Sequence, residues 1–119
     1  MVLCVNDDLK MGKGKIGAQC AHAAVGSVMM ISDDANAERE GVVRRWREAC
    51  GQAKIVLRVD GGEQGMLDLA QTAFDKGLPV YCVRDAGRTQ VAASSLTVVA
   101  IGPAVSASVD EVTRGLRLL

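Results

Sequence analysis

Asn6-Asp7-Asp8-Leu9-Lys10-Met11-Gly12-Lys13-Gly14-Lys15-Ile16-Gly17-Ala18-Gln19-Cys20-Ala21-His22-Ala23 is the stretch on which the reading of this chain turns. An apolar run, Met1 to Val5, precedes it and predicts a buried strand. A small-residue run, Ile16 to Met30, follows it and predicts a helix. Between them lies a loop with two glycines and three lysines. Glycine lets a backbone come close to a ligand. A helix start adds unpaired N–H groups and a partial positive charge. Three ammonium groups deepen that field, so the loop suits an anion, and phosphate above all.

The spacing Gly12-x-Gly14-x-x-Gly17 matches a dinucleotide fingerprint. The acidic residue expected about 20 positions later, at the end of a second strand, is missing in that context. Asp33 and Asp34 stand at that distance but look like the start of another helix. Lys15 is followed by Ile16 rather than Ser or Thr, so there is no Walker loop. Spacing alone leaves an ordinary solvated turn as plausible as a ligand loop.

Working outward, 119 residues make one domain, 1–119, with room for a core that needs no metal or disulfide. No apolar run approaches a membrane span of roughly 18 to 20 residues, and no cleavable basic leader is visible. Net charge is zero, which argues against a generic nucleic-acid binder. Its distribution matters more. Lys10, Lys13 and Lys15 cluster, Arg84 and Arg88 lie together, and the acids gather elsewhere. Four scattered cysteines and one histidine do not make a zinc site, and Cys4 and Cys82 are expected to be packed thiols inside strands. Free thiols suit a reducing compartment, and a cytoplasmic location is expected.

In chain order, strands are expected at Val2 to Val5, Lys54 to Val59, Val80 to Val83 and Leu96 to Ile101. Helices are expected from Lys15 to Ile31, from an Asp33 or Asp34 cap to Cys50, over Met66 to Phe74, and after a Ser108-x-x-Glu111 capping box. In the third helix Met66, Leu67, Leu69, Ala70, Ala73 and Phe74 recur at helical spacing. Lys15, Gln19 and His22 share one stripe of the first helix, at i, i+4 and i+7. Helical crossovers make the first three strands parallel. The short last loop favours an antiparallel fourth strand. The fold class is α/β: a three-layer α/β/α sandwich on a four-stranded mixed sheet.

Three blocks then carry a resemblance. Asp8-Leu9-Lys10-Met11-Gly12-Lys13-Gly14-Lys15 with Ala18-Gln19-Cys20-Ala21-His22-Ala23 resembles the opening of the archaeal and eukaryotic type 2 peptidyl-tRNA hydrolases. Asp85-Ala86-Gly87-Arg88-Thr89-Gln90 resembles that family's second signature, and Thr97-Val98-Val99-Ala100-Ile101-Gly102-Pro103 its last strand. Weaker similarity, including Trp46 to Lys54, joins them, so nearly all of the chain is covered. Two departures are visible: Val91-Ala92-Ala93-Ser94-Ser95 stands where the family has proline and glycine, and Ala104-Val105 replaces a stretch richer in both.

The resemblance implies strand order 2-1-4-3, which the residues alone only permit. It implies hydrolysis of the ester between a peptide and the 3′ ribose of tRNA, with no cofactor. Its catalytic residues fall by motif on Lys15, Asp85, Thr89 and Thr97. Asp85 is the candidate to orient or deprotonate water. Lys15, with Thr89 or Thr97, is the candidate for the oxyanion or terminal ribose. Each also has an ordinary structural use: Asp85 as a turn cap, Thr97 as a strand residue, Lys15 as a solvated side chain. Lys10, Lys13 and Arg88 are expected at tRNA phosphates, and Gln19 and His22 at the substrate face. The expected partner is peptidyl-tRNA, with no membrane, and a homodimer is left open. The rival readings are a tRNA-binding or protein-interaction module without activity, and a nucleotide-binding enzyme using Gly12 to Gly17.

Overall fold

The computed structural model describes residues 1–87 and 91–119. Five strands form one mixed sheet: β1 (Val2–Asn6), β2 (Ile55–Val59), β3 (Val80–Arg84), β4 (Leu96–Ile101) and β5 (Arg117–Leu118). Four helices accompany them: α1 (Lys13–Asp33), α2 (Ala37–Glu48), α3 (Gly62–Asp75) and α4 (Ser106–Thr113). No described helix is long and apolar enough to cross a membrane.

The order is β3-β4-β1-β2-β5. The expected 2-1-4-3 arrangement stands inside it, with β1 parallel to β2 and β4 antiparallel to both β1 and β3. The expected count of four strands is wrong by one. After α4 the chain returns along the outer edge of β2, pairing Leu118 with Leu57 and Arg117 with Arg58. These residues satisfy backbone groups that β2 would otherwise leave open.

Alternation along the strands divides the core into two. Val2 and Cys4 of β1, with Leu57, Val59, Val99 and Ile101, pack under Met66 and Ala73 of α3 and Val109 of α4. Leu3 and Val5, with Val83, Val98 and Ala100, pack under Cys20 and Ala23 of α1. Every residue of β4 is buried, as expected for a strand between two others and covered on both faces. Asn6 closes β1 by donating its side-chain amide to the Leu96 carbonyl at 3.0 Å, which ties the end of β1 to the start of β4.

Several finer expectations give way. Asn36, not Asp33 or Asp34, caps α2 by accepting from the Arg39 N–H, because α1 runs on through Asp33. Val43 is the buried residue of α2. The Ser108–Glu111 box is absent, since α4 already begins at Ser106. Leu67 and Phe74 face solvent, Phe74 with 69 % of its surface exposed. The sheet takes only the narrow stripe Met66, Leu69, Ala70 and Ala73. Cys82 is exposed because β3 is an edge strand.

Two glycines make opposite predictions. A Cβ on Gly65, in the first turn of α3, would sit 2.5 Å from the Asp60 carbonyl oxygen. A Cβ on Gly41, within α2, would meet nothing within 4 Å. Thermal unfolding should show Gly65→Ala destabilised by about 1–3 kcal/mol, a loss of several degrees. Gly41→Ala should gain roughly 0.5–1 kcal/mol from higher helix propensity.

Candidate active site

The site starts where β1 ends. A single 3-10 turn, Asp7–Leu9, and a left-handed Lys10 swing the chain away from the sheet. Gly12 then serves as the N-cap of α1 without a side-chain bond, so the first turn of α1 keeps open N–H groups. Lys15 lies in that turn, where the helix dipole disfavours a positive charge.

Its compensation comes from a distant part of the chain. Asp85, the first residue after β3, is 70 positions away and accepts a hydrogen bond from the Lys15 ammonium. The Asp85 side chain is only 2 % exposed and that of Lys15 15 %. The other Asp85 oxygen accepts the Gly87 N–H at 3.0 Å. The carboxylate therefore caps a turn, as the sequence allowed, and pairs with a lysine as well. Gly87 has φ +76°, and a Cβ there would come within 2.7 Å of the Ala93 Cβ, so this position demands glycine. The Asp85 backbone also bonds Ser94 and Ser95, each at 2.9 Å, which pins both ends of the loop that Asp85 opens.

Thr97 and Gln19 form the layer beneath. Thr97 is wholly buried. Its Oγ1 lies 2.6 Å from Gln19 Oε1 and 3.0 Å from the Val83 carbonyl oxygen. Gln19 is one helical turn beyond Lys15 and is itself buried. The Thr97 hydroxyl thus holds Gln19, and Gln19 separates it from solvent. Thr89 and Arg88, two of the expected site residues, lie outside the described residues.

His22 is exposed and follows Gln19 along α1. Lys15, Gln19, His22 and Asp85 all line one groove of about 480 Å³ between α1 and β3. A hollow of equal volume over α2 is walled by Glu40, Arg44 and Arg47 among others. Among the described residues, the groove at β3 is the one that joins two remote segments through a largely buried ion pair. Lys13 is exposed at the mouth of the α1 N-terminus. Lys10 is exposed too, paired with Asp7 at 2.9 Å. Cys20 is no rival nucleophile. Burial pushes its thiol above the usual range, and it pushes Cys4 up to about 12.

The model of the family described as "Peptidyl-tRNA hydrolase PTH2" matches residues 1–119. The chain belongs to this PTH2 family. It is 47 % identical to "Probable peptidyl-tRNA hydrolase 2" of Drosophila melanogaster over all 119 residues, which are 61 % of that protein. It is 44 % identical to the human "Peptidyl-tRNA hydrolase 2, mitochondrial", where 99 % of this chain matches 63 % of the relative. An archaeal "Peptidyl-tRNA hydrolase" from Staphylothermus marinus is 42 % identical, with 99 % of this chain and 93 % of that one aligned. The chain thus spans about three-fifths of the animal PTH2 relatives, 61 % and 63 % of their lengths. It matches nearly the whole of the archaeal one, at 93 %.

Sequence reasoning missed Asn6, whose bond to Leu96 sets β1 against β4, and the Thr97–Gln19 contact. The signal for the first was an amide at the end of an otherwise apolar strand. The second has no local signal, because it depends on α1 crossing β4.

The unequal burial of the pair predicts unequal costs. Lys15→Met takes the cation from a carboxylate that is only 2 % exposed, and should cost about 3 kcal/mol in urea unfolding. Asp85→Asn leaves a lysine that can swing into solvent, and should cost about 1 kcal/mol.

Proposed function

We propose that this chain hydrolyses the ester between a peptide and the 3′ ribose of tRNA, releasing both for reuse. The observation that carries the reading is the Lys15–Asp85 pair at the end of an open groove. Full-length membership in the PTH2 family supports it.

The chemistry needs a positioned water, a charge for the tetrahedral oxyanion and a proton for the departing ribose oxygen. Lys15 and Gly87 fix the Asp85 carboxylate in place. We assign Asp85 the orienting role, acceptance of the proton from the attacking water, and return of that proton to the departing ribose oxygen. Lys15 keeps two further N–H donors for the oxyanion. Thr97, buried behind Gln19, serves as a positioning residue for the Gln19 amide at the substrate face. Thr89 keeps the role its motif implies, beside the oxyanion or the ribose. No cofactor enters these steps.

Lys10 and Lys13 stand beside the α1 N-terminus, where backbone N–H groups and ammonium groups favour tRNA phosphates. Arg88 is assigned the same task, and His22 a contact along the groove. The reaction suits any compartment that makes protein. The reading is cytoplasmic, with the mitochondrial name of the human relative marking the organellar alternative.

Release of N-acetyl-aminoacyl groups from tRNA tests the reading. Asp85→Asn should lower kcat by about 10²–10⁴ while the fold persists by circular dichroism. Lys10→Ala with Lys13→Ala should raise KM and flatten the salt dependence of binding, by close to one unit of log–log slope for each phosphate no longer held. Turnover by Asp85→Asn at the wild-type rate would contradict the assignment.

A further inference from the structure

The two edges of the sheet are treated differently. The β2 edge is covered by β5. Along β3, among the described residues, no strand pairs with the outer side. The Pro79 carbonyl accepts from the Gly102 N–H at 2.9 Å, so Pro79 faces β4. By the alternation of an antiparallel ladder, Tyr81 and Val83 do likewise, and Val80, Cys82 and Arg84 turn their N–H and C=O groups outward. Exposed edges are usually blunted by charge, proline or a bulge. Here Pro79 stands at one end, Arg84 and a bulge in the β3–β4 register stand at the other, and the stretch Val80-Tyr81-Cys82-Val83 between them carries no charge.

The groove follows that edge. Its far wall is α1, which presents His22, Val25 and Met29, with Val25 and Met29 59 % and 60 % exposed. Its floor at this end is the Tyr81 ring, and a Cβ on Gly26 would overlap that ring, so helix and strand approach closely only because residue 26 is glycine. The edge leads directly into Asp85.

We infer that the nascent peptide of the substrate adds to β3 as a sixth strand, running parallel to it, with its C-terminal ester delivered to Lys15 and Asp85. This inference rests on the hydrolase reading above. The direction follows from the chemistry. The ester is at the peptide's C-terminus and the ion pair is at the C-terminal end of β3, so the upstream residues run back towards Val80. Five residues of β3 extend about 16 Å, enough for four or five residues of peptide. Backbone hydrogen bonds read no side chain, which suits an enzyme that must accept many peptides. The side chains on one face of the added strand would lie against Val25 and Met29.

The experiment compares two substrates on the full chain: tRNA carrying N-acetyl-alanine and tRNA carrying N-acetyl-tetra-alanine. The longer peptide should raise kcat/KM about tenfold or more. N-methylation of its peptide nitrogens one at a time should then cost about fivefold at every second nitrogen and less than twofold between them, the period of a strand. Cys82→Pro, which removes one outward N–H, should shrink the gain from length; the N-methyl series on the unaltered protein decides the matter if that variant does not fold. Hydrolysis of both tRNAs with equal kcat/KM would overturn the strand reading alone. A gain insensitive to methylation, or a stable dimer whose second copy occupies the β3 edge, would also overturn it. Failure to hydrolyse either tRNA would instead overturn the hydrolase reading.

Discussion

Lys15 puts a positive charge in the first turn of α1, where the helix dipole opposes it, and Asp85 puts a negative charge at the end of β3, where water hardly reaches. Neither placement is favourable by itself. Together they convert two local costs into one contact across 70 residues of sequence. A pair under that constraint has little freedom to wander, and catalysis benefits from groups that are already in place before substrate arrives.

The pair is only within reach because of the strand order. β4 lies between β1 and β3 and runs against both, so the loop after β1, the end of β3 and the start of β4 share one rim. Asn6 fastens two of these three, through Leu96. Thr97 then fastens the sheet to α1 through Gln19. The buried threonine and the exposed lysine loop are thus parts of one support.

Much of this was legible in the residues. Leu96 to Ile101 was readable, because a β-branched and apolar run, broken only by Thr97, ends at Gly102-Pro103. The Lys15, Gln19 and His22 stripe follows from helical spacing, and the three do line one groove. Other features were hidden for physical reasons. Two residues, Arg117 and Leu118, have no periodicity to detect, and β5 exists because β2 offers it partners. Phe74 falls on a helical apolar pattern, yet a helix packed on a sheet buries only a narrow stripe. The exposure of Cys82 depends on which strand is last in the sheet, a property of the whole fold.

The most direct measurement is a double-mutant cycle on single-turnover hydrolysis, using Lys15→Ala, Asp85→Ala and the two together. Groups that act as one unit are strongly non-additive. The double variant should be slower than the worse single variant by no more than about threefold. A double variant slowed by the full product of the two single losses would contradict the account, since the two side chains would then contribute independently.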